Sequence, residues 1–338
     1  MKTRYIVLGA SGLIFVLAVL IIFVTVPSKE NISAIAEPTL TPTEKLLGEN
    51  LEGQVLFSRG GMLWAWRGNN ATRMAIEPGK SVVANNQVSL LEPTLAPAAN
   101  AIAYIRRDES FSDLWLVNAD GSNPHSLTSN RGPGIPRSQG FADGSLWAYS
   151  PAWSPDGNNL AFLWDKGTDD LTLWVTPAKA FNPRKIATIG TGQGGMARPV
   201  WSPDGTRILF TGYENFKPQI WRVNLQSGQI IRLTNTPDGA YDAAYSPDGK
   251  YIAYIQRKGS NAELWLMTSD GDNPILVSNL TSRSPVWNPA SDKIAFLALK
   301  EQSFDLFTIN LLNGVPGELK QISKKGNLDG GGGLSWGK

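Results

Sequence analysis

The segment Pro199–Phe210, with the sequence PVWSPDGTRILF, decides the fold because it recurs along the chain. Its apolar start, its Ser-Pro-Asp-Gly centre and its alternating end predict two short strands joined by a tight turn. Proline stands at the turn position that favours a φ of about −65°. Matching segments begin at Pro151, Ala243 and Pro285, and a more divergent copy begins at Pro93. The sequence therefore predicts a repeated β-hairpin.

A second hairpin is predicted after each copy, because an aliphatic-aromatic pair followed by a polar turn also recurs. These pairs are Leu63-Trp64, Leu114-Trp115, Leu173-Trp174, Ile220-Trp221, Leu264-Trp265 and Leu306-Phe307. Two hairpins together make a four-stranded sheet. The aromatic residues Trp153, Trp201, Tyr245 and Trp287 of the first hairpins lie 48, 44 and 42 residues apart. This spacing is typical of propeller blades, and the recurring rings are expected to pack between blades.

The two ends of the repeat region are predicted to form one blade together. Segment Leu334-Ser335-Trp336 resembles the first strand of a further copy that stops there. The predicted strands near Gln54–Phe57, Met62–Trp66 and Thr72–Ile76 lack such a first strand. Pairing them closes a ring and hides its sheet edges. We therefore predict an all-β, six-bladed propeller over residues 51–338.

The repeated Trp-Ser-Pro-Asp-Gly motif is followed by three further elements: Ile-Ala-Phe/Tyr, Leu-Trp and Asp-Gly-x-Asn-Pro. Together these motifs resemble TolB-like propeller repeats, which are related in shape to WD-repeat proteins. The resemblance covers about residues 53–338. It implies a protein-docking module, a periplasmic partner of envelope complexes or an appendage of a peptidase. TolB itself carries an N-terminal α/β domain that the region before Gly53 does not resemble.

An uncharged apolar segment, residues 6–26, precedes the repeats. As an α-helix it would be about 31 Å long, which matches the hydrocarbon core of a bilayer. Lys2 and Arg4 favour a cytoplasmic location for residues 1–5. The sequence thus predicts a signal anchor of a single-pass membrane protein, with the propeller outside the cytoplasm, either periplasmic or extracellular.

A cleaved signal peptide is the alternative interpretation of this region. Ala34-Ile35-Ala36 offers a cleavage site. However, the apolar segment is longer than the roughly 7–15 residues of a signal-peptide core, and the site lies far beyond its end. Residues 27–50 contain prolines and threonines and few large apolar groups, so we predict a semi-extended linker there.

Composition excludes several kinds of chemistry. The 31 Lys and Arg nearly balance the 29 Asp and Glu, so no nucleic-acid partner is predicted. Cysteine is absent and His125 is the single histidine, which excludes thiolate catalysis and histidine-rich metal sites.

Asp156, Asp204 and Asp248 occupy equivalent turns of successive blades and cannot converge on one calcium ion. Gly330–Gly333 lacks a phosphate-loop Lys-Ser/Thr and is predicted to be a flexible lead into the last strand. We predict no catalytic residue, metal ion or cofactor.

Loop lengths indicate where the propeller binds. Turns within the hairpins are short on one face, called here the turn face. The opposite, long-loop face carries the predicted connections 129–149, 165–171, 190–198, 212–219 and 324–333. Binding groups usually lie on such variable loops. Alignment of the blades places six residues equivalently around the channel mouth on this face: Glu92, Ser150, Arg198, Asp242, Ser284 and Gly333. Three further candidates lie beside them: Tyr149, Tyr241 and Arg283.

The sequence therefore predicts a membrane-anchored, extracytoplasmic and non-catalytic scaffold of the cell envelope. Its long-loop face would bind a protein or an envelope polymer. The alternative is an enzyme or a metal-dependent binder that uses the channel carboxylates Glu92, Asp242 and Asp329. A sensor ectodomain is a third hypothesis, and it would need a separate cytoplasmic protein, because only about five residues precede the predicted membrane span.

Overall fold

The computed structural model describes residues 50–81, 88–136, 138–190, 192 and 194–338. These residues form six four-stranded antiparallel sheets arranged as the blades of a propeller, which confirms the predicted fold. The predicted anchor 6–26 and nearly all of the predicted linker lie outside the described residues. Within the described part of the chain, no helix has the length and apolar character needed to span a bilayer.

The first half of the chain forms blades 1 to 3. Blade 1 begins with β1 (Leu51–Arg59), β2 (Met62–Gly68) and β3 (Asn70–Arg73). Blade 2 contains β4 (Ser89–Leu95), β5 (Ala101–Arg107), β6 (Ser112–Asn118) and β7 (His125–Ser126). A short helix, α1 (Gln139–Gly144), leads into blade 3. Blade 3 contains β8 (Ala148–Trp153), β9 (Asn159–Trp164), β10 (Thr172–Pro177) and β11 (Arg184–Ala187).

The second half forms blades 4 to 6 and returns to blade 1. Blade 4 contains β12 (Met196–Trp201), β13 (Arg207–Glu214), β14 (Lys217–Asn224) and β15 (Ile230–Arg232). Blade 5 contains β16 (Ala240–Tyr245), β17 (Tyr251–Lys258), β18 (Asn261–Thr268) and β19 (Ile275–Ser278). Blade 6 contains β20 (Ser282–Trp287), β21 (Lys293–Lys300), β22 (Ser303–Leu312) and β23 (Val315–Gln321). The last strand is β24 (Leu334–Gly337).

The ring closes as predicted, because β24 is the innermost strand of blade 1. It pairs antiparallel with β1, with Val55 opposite Trp336 and Phe57 opposite Leu334. The Trp336 indole N–H also donates to the Glu52 carbonyl at 2.8 Å. The two ends of the described region are thus joined by one strand pair.

The recurring tryptophans connect neighbouring blades. The indole N–H of Trp153, Trp201 and Trp287 donates to a backbone carbonyl of the preceding blade's innermost strand, at 3.1 Å in each case. Each indole ring therefore packs at the apolar boundary between two blades and adds one hydrogen bond across it. The predicted packing role is confirmed, and the hydrogen bond explains why an indole suits this position.

The Ser-Pro-Asp-Gly turns are held by their own aspartates. In blade 4 the Asp204 carboxylate accepts hydrogen bonds from the Ser202 hydroxyl and from the Thr206 N–H at 2.9 Å. The Ser202 hydrogen bond is the main cause that lowers the pKa of Asp204 below its usual range. Asp156 makes the same bonds in blade 3. These carboxylates serve turn geometry at separate places around the ring.

The connections of the long-loop face match the prediction in part. The predicted connections 129–149 and 190–198 extend into strands, because β8 begins at Ala148 and β12 at Met196. Residues 165–171 and 324–333 lie between strands, as expected. The predicted loop 212–219 is wrong, because β13 and β14 run through it. A turn of only two residues, Asn215-Phe216, joins these strands, with Glu214 paired to Lys217.

Candidate binding site

A channel along the propeller axis encloses a cavity of about 550 Å³. Its wall comes from the innermost strands β4, β8, β12, β16, β20 and β24, and it is apolar midway along the channel, where Ala152, Val200, Ala244 and Val286 lie. Polar side chains concentrate at the long-loop end. The channel thus combines an apolar shaft with a polar mouth, which is the usual character of a ligand-binding cavity.

The structure places the six predicted mouth residues at equivalent positions. Their backbone is left-handed in every blade, with φ values of 53° at Glu92, 51° at Ser150, 48° at Arg198, 53° at Asp242, 50° at Ser284 and 75° at Gly333. In blades 2 to 6 a register shift between the innermost strand and the next strand occurs at this position. Such bulges bend a strand and redirect a side chain. They form a ring of side chains at the mouth.

Two carboxylates of this ring bind the next blade. The Glu92 carboxylate accepts a hydrogen bond from the Ser150 N–H at 2.6 Å and another from the Ser150 hydroxyl at 3.1 Å. The Asp242 carboxylate accepts one from the Ser284 N–H at 3.2 Å. Both acids therefore join neighbouring blades at the mouth.

Arg198 of blade 4 crosses the mouth toward blade 1, which lies opposite. Its Nη2 donates to the Gly331 carbonyl at 3.0 Å, and its Nε lies 3.6 Å from Asp242 Oδ1. A Cβ at Gly333 would lie only 2.8 Å from Arg198 Nη1, so glycine there makes room for the guanidinium. The side chain of Arg198 is 22% exposed. The Arg198 guanidinium therefore spans the channel mouth and stays partly accessible to solvent.

Ser284 differs from its counterpart Ser150. The Ser284 residue is 6% exposed and lines the cavity, yet its hydroxyl has no hydrogen-bond partner among the described residues. A buried hydroxyl that is left unpaired costs roughly 1–3 kcal/mol. This side of the mouth is therefore able to hydrogen-bond a bound group.

Tyr149, Tyr241 and Arg283 lie beside the mouth but do not line the cavity. Tyr241 is 2% exposed, and the guanidinium carbons of Arg283 and Arg257 lie 5.2 and 5.8 Å from its ring centre. Burial raises the pKa of Tyr149 to about 12. The structure assigns these aromatic rings to packing behind the mouth.

The three carboxylates of the alternative hypothesis have separate partners. Asp329 accepts hydrogen bonds from the backbone N–H groups of Gly60 and Gly61 at 3.2 and 3.3 Å, so it holds the β1–β2 turn. Glu92 and Asp242 make the bonds described above. Across the part of the chain that the structure describes, no three His, Cys, Asp or Glu residues are grouped to hold a metal ion. His125 lies exposed on the outer strand β7.

A buried network holds the connection that delivers Gly331 and Gly333. The Asp305 carboxylate accepts hydrogen bonds from the Gly326 N–H at 2.7 Å and the Ser323 hydroxyl at 3.0 Å. The Ser323 hydroxyl in turn accepts one from the Leu306 N–H at 2.9 Å. The position of this connection therefore depends on one carboxylate that is 2% exposed.

Sequence reasoning missed Phe216, at the tip of the β13–β14 turn on the long-loop face. Its side chain is 73% exposed. Asn215 and Phe216 have φ values of 51° and 59°, as a two-residue type I′ turn requires. Glycine or asparagine is favoured at both positions of such a turn, and a bulky aromatic residue there is unusual. The available signal was Asn215 followed by an aromatic residue instead of glycine.

The closed ring of six four-stranded sheets around an axial channel defines the class of this protein as a six-bladed β-propeller. A family model described as the TolB beta propeller domain matches residues 137–329. This chain belongs to the TolB β-propeller family.

Relatives within this family differ in their assigned roles. The Tol-Pal system protein TolB of Anaeromyxobacter dehalogenans (strain 2CP-C) is 28% identical over 159 residues, which cover 39% of this chain and 36% of that protein. The uncharacterized peptidase YuxL of Bacillus subtilis (strain 168) is 25% identical over 209 residues, which cover 49% of this chain and 29% of that protein. The chain thus spans only about a third of these relatives, and the family defines the propeller without defining an activity.

Solved structures support the same fold. TolB from Acinetobacter baumannii superposes with a TM-score of 0.65 at 18% identity, over 85% of this chain and 67% of that chain. A chain of the nidogen/laminin complex superposes with a TM-score of 0.57 at 11% identity, over 83% of this chain and 97% of that chain. At these identities the likeness concerns the fold alone.

Proposed function

We propose that this chain is a membrane-anchored, non-catalytic binding module of the cell envelope whose long-loop face captures a protein partner. The observation that carries the proposal is Phe216, an aromatic side chain exposed on that face in a strained turn. A left-handed conformation costs a residue with a side chain roughly 1–2 kcal/mol. Aromatic side chains, phenylalanine included, are enriched at the core of protein interfaces. A partner that buries Phe216 would offset this cost.

The position of Phe216 relative to the mouth supports one continuous surface. Ala197, next to Arg198, pairs with Thr211 on β13. From that pair β13 continues for about 10 Å before the turn, at roughly 3.3 Å per residue. A segment that lies on Phe216 can therefore reach the donors of Arg198 and the hydroxyl of Ser284.

Replacing Phe216 with glycine separates binding from folding. Phe216→Gly is expected to raise the free energy of unfolding by about 0.5–1 kcal/mol, because glycine adopts the left-handed turn without strain. The same change should weaken capture of the partner by roughly tenfold or more, the effect of losing an interface anchor. Proximity labelling from the full chain in cells would identify the partner, and titration with that protein would measure its affinity.

Gln302→Gly is the matched control for this test. Glu301 and Gln302 form the equivalent two-residue turn of blade 6, with φ values of 48° and 72°, and no aromatic ring is lost there. It should stabilise the fold without changing partner capture. If Phe216→Gly and Gln302→Gly bound the partner equally well, the proposed binding face would be wrong.

Membrane anchoring is the second part of this proposal, and it is supported by the apolar segment 6–26 and by Lys2 and Arg4 before it. Protease added outside cells with a permeable or removed outer barrier should cut within the linker 27–50 and release the propeller. A cytoplasmic marker protein should stay intact in the same sample. Release of the whole chain from membranes by alkaline carbonate, or protection from the protease, would contradict this topology.

A further inference from the structure

The outer edge of blade 6 is longer than the outer edge of any other blade. Strand β23 has 7 residues, whereas the outer strands β3, β7, β11, β15 and β19 have 4, 2, 4, 3 and 4 residues. Each of these strands ends its sheet and has no further neighbour among the described strands. Proteins usually keep such edges short, because an open edge can pair with another strand.

The open side of β23 presents backbone groups in its C-terminal half. The Ile322 N–H donates to the Leu306 carbonyl at 2.8 Å. The register shift of this strand pair falls between Pro316 and Leu319, and inward and outward bonding alternates beyond it, so Lys320 bonds toward β22. The N–H and C=O groups of Leu319 and Gln321 therefore face outward.

Apolar side chains are also concentrated on this side of the propeller. Eight large apolar residues of the described chain are exposed, and six of them lie on blades 5 and 6. These six are Ile275, Leu276, Leu299, Leu312, Val315 and Leu319. Leu319 is 41% exposed in the C-terminal half of the open edge. An exposed apolar edge of this kind favours burial by another strand.

The sequence of β23 is self-complementary about Leu319. In an antiparallel pair centred there, Leu319 lies opposite the partner subunit's Leu319, and Glu318 lies opposite the partner subunit's Lys320. By the two-fold symmetry, Lys320 lies opposite the partner subunit's Glu318, which gives a second charge pair. Glu318 and Lys320 project from the same side of the strand, with side chains 69% and 38% exposed and 3.4 Å apart.

We propose that two copies of this chain pair through β23, which joins two blades into one continuous eight-stranded sheet. The backbone groups of Leu319 bond across the two-fold axis, and two Glu318–Lys320 pairs set the register. An interface made mainly by one strand buries less than about 1,200 Å², so the dimer is reversible.

Charge reversal tests the register directly. Glu318→Lys places like charges opposite each other twice, and so does Lys320→Glu, so each variant alone should sediment as a monomer under conditions where the full wild-type chain in detergent dimerises. An equimolar mixture of the two variants restores both opposite-charge pairs and should form a heterodimer. The double variant Glu318→Lys/Lys320→Glu should dimerise like the wild type. If the wild type is monomeric, or if the mixture stays monomeric, the proposal is overturned.

Cysteine substitution gives a second readout, because the chain contains no native cysteine. Positions 318 and 320 would form a non-hydrogen-bonded pair with Cα atoms about 4.5 Å apart, which is within disulfide reach. A mixture of Glu318→Cys and Lys320→Cys chains should therefore oxidise to a disulfide-linked dimer faster than either variant alone. A mixture of Asp270→Cys and Lys320→Cys is the control, since Asp270 is an exposed turn residue of blade 5. Equal rates in both mixtures would rule out this pairing.

Discussion

A chain that lacks residues 334–338 is expected to unfold at a far lower urea concentration than the full chain, or not to fold cooperatively. This deletion removes β24, so β1 loses its inner partner and the ring opens. Leu334, which is 9% exposed, leaves the core between blades 6 and 1. The Leu95 N–H also loses the Ser335 hydroxyl that it binds at 3.1 Å. Blade 2 thereby loses a contact as well.

The expected loss is large compared with the stability of a domain. Removal of one buried leucine side chain costs about 2–5 kcal/mol, and each lost hydrogen bond adds about 1 kcal/mol. The total approaches the 5–15 kcal/mol that typically separates folded from unfolded protein. Urea unfolding followed by tryptophan fluorescence measures it. Deletion of Lys338 alone is the control and should leave the midpoint unchanged. An unchanged midpoint after deletion of 334–338 would refute closure by β24.

Asp305→Ala is expected to lower the free energy of unfolding by about 3 kcal/mol. The Gly326 N–H and the Ser323 hydroxyl would lose their acceptor inside the protein, and each unsatisfied buried donor costs roughly 1–3 kcal/mol. Because Asp305 fixes the connection that carries Gly331, the alanine variant should also expose that connection. Faster amide hydrogen exchange over residues 322–333 would report this loosening.

Asp305→Asn is the matched control, because its amide oxygen accepts the bonds of Gly326 and Ser323, while its NH2 group replaces the Oδ2 acceptor of Gln321 Nε2 and the Lys325 N–H. It should lose less stability than Asp305→Ala and should keep slower exchange over 322–333 than the alanine variant. Equal unfolding free energies for the two variants would mean that hydrogen bonds to Asp305 do not hold the connection.

Much of the fold was predictable because its signals are local and repeated. The Ser-Pro-Asp-Gly turns form from contacts within about five residues, as the bonds of Asp204 show. The equivalence of the mouth positions follows from the same repeat, so alignment alone brought Glu92 and Arg198 to one ring. Closure by the strand that contains Trp336 was predictable because the sequence shows six second hairpins but only five complete first hairpins.

The error at residues 212–219 has a specific cause. Gly212 and Pro218 lie within this range, and both residue types commonly interrupt strands. In the structure a Cβ at Gly212 would lie 2.8 Å from the Trp221 ring, so the glycine allows that ring to pack closely. Glycine here serves a contact within the sheet, which local patterns do not distinguish from a turn.

The sequence alone determined the repeat, the blade count and the positions at the channel mouth, because periodic local signals encode them. Tertiary structure alone decided that Arg198 reaches Gly331, that the Ser284 hydroxyl has no hydrogen-bond partner among the described residues, and that β23 presents an open edge. These features depend on distances between residues far apart in the chain. Such distances are set when six blades pack around one axis, and no local pattern carries them.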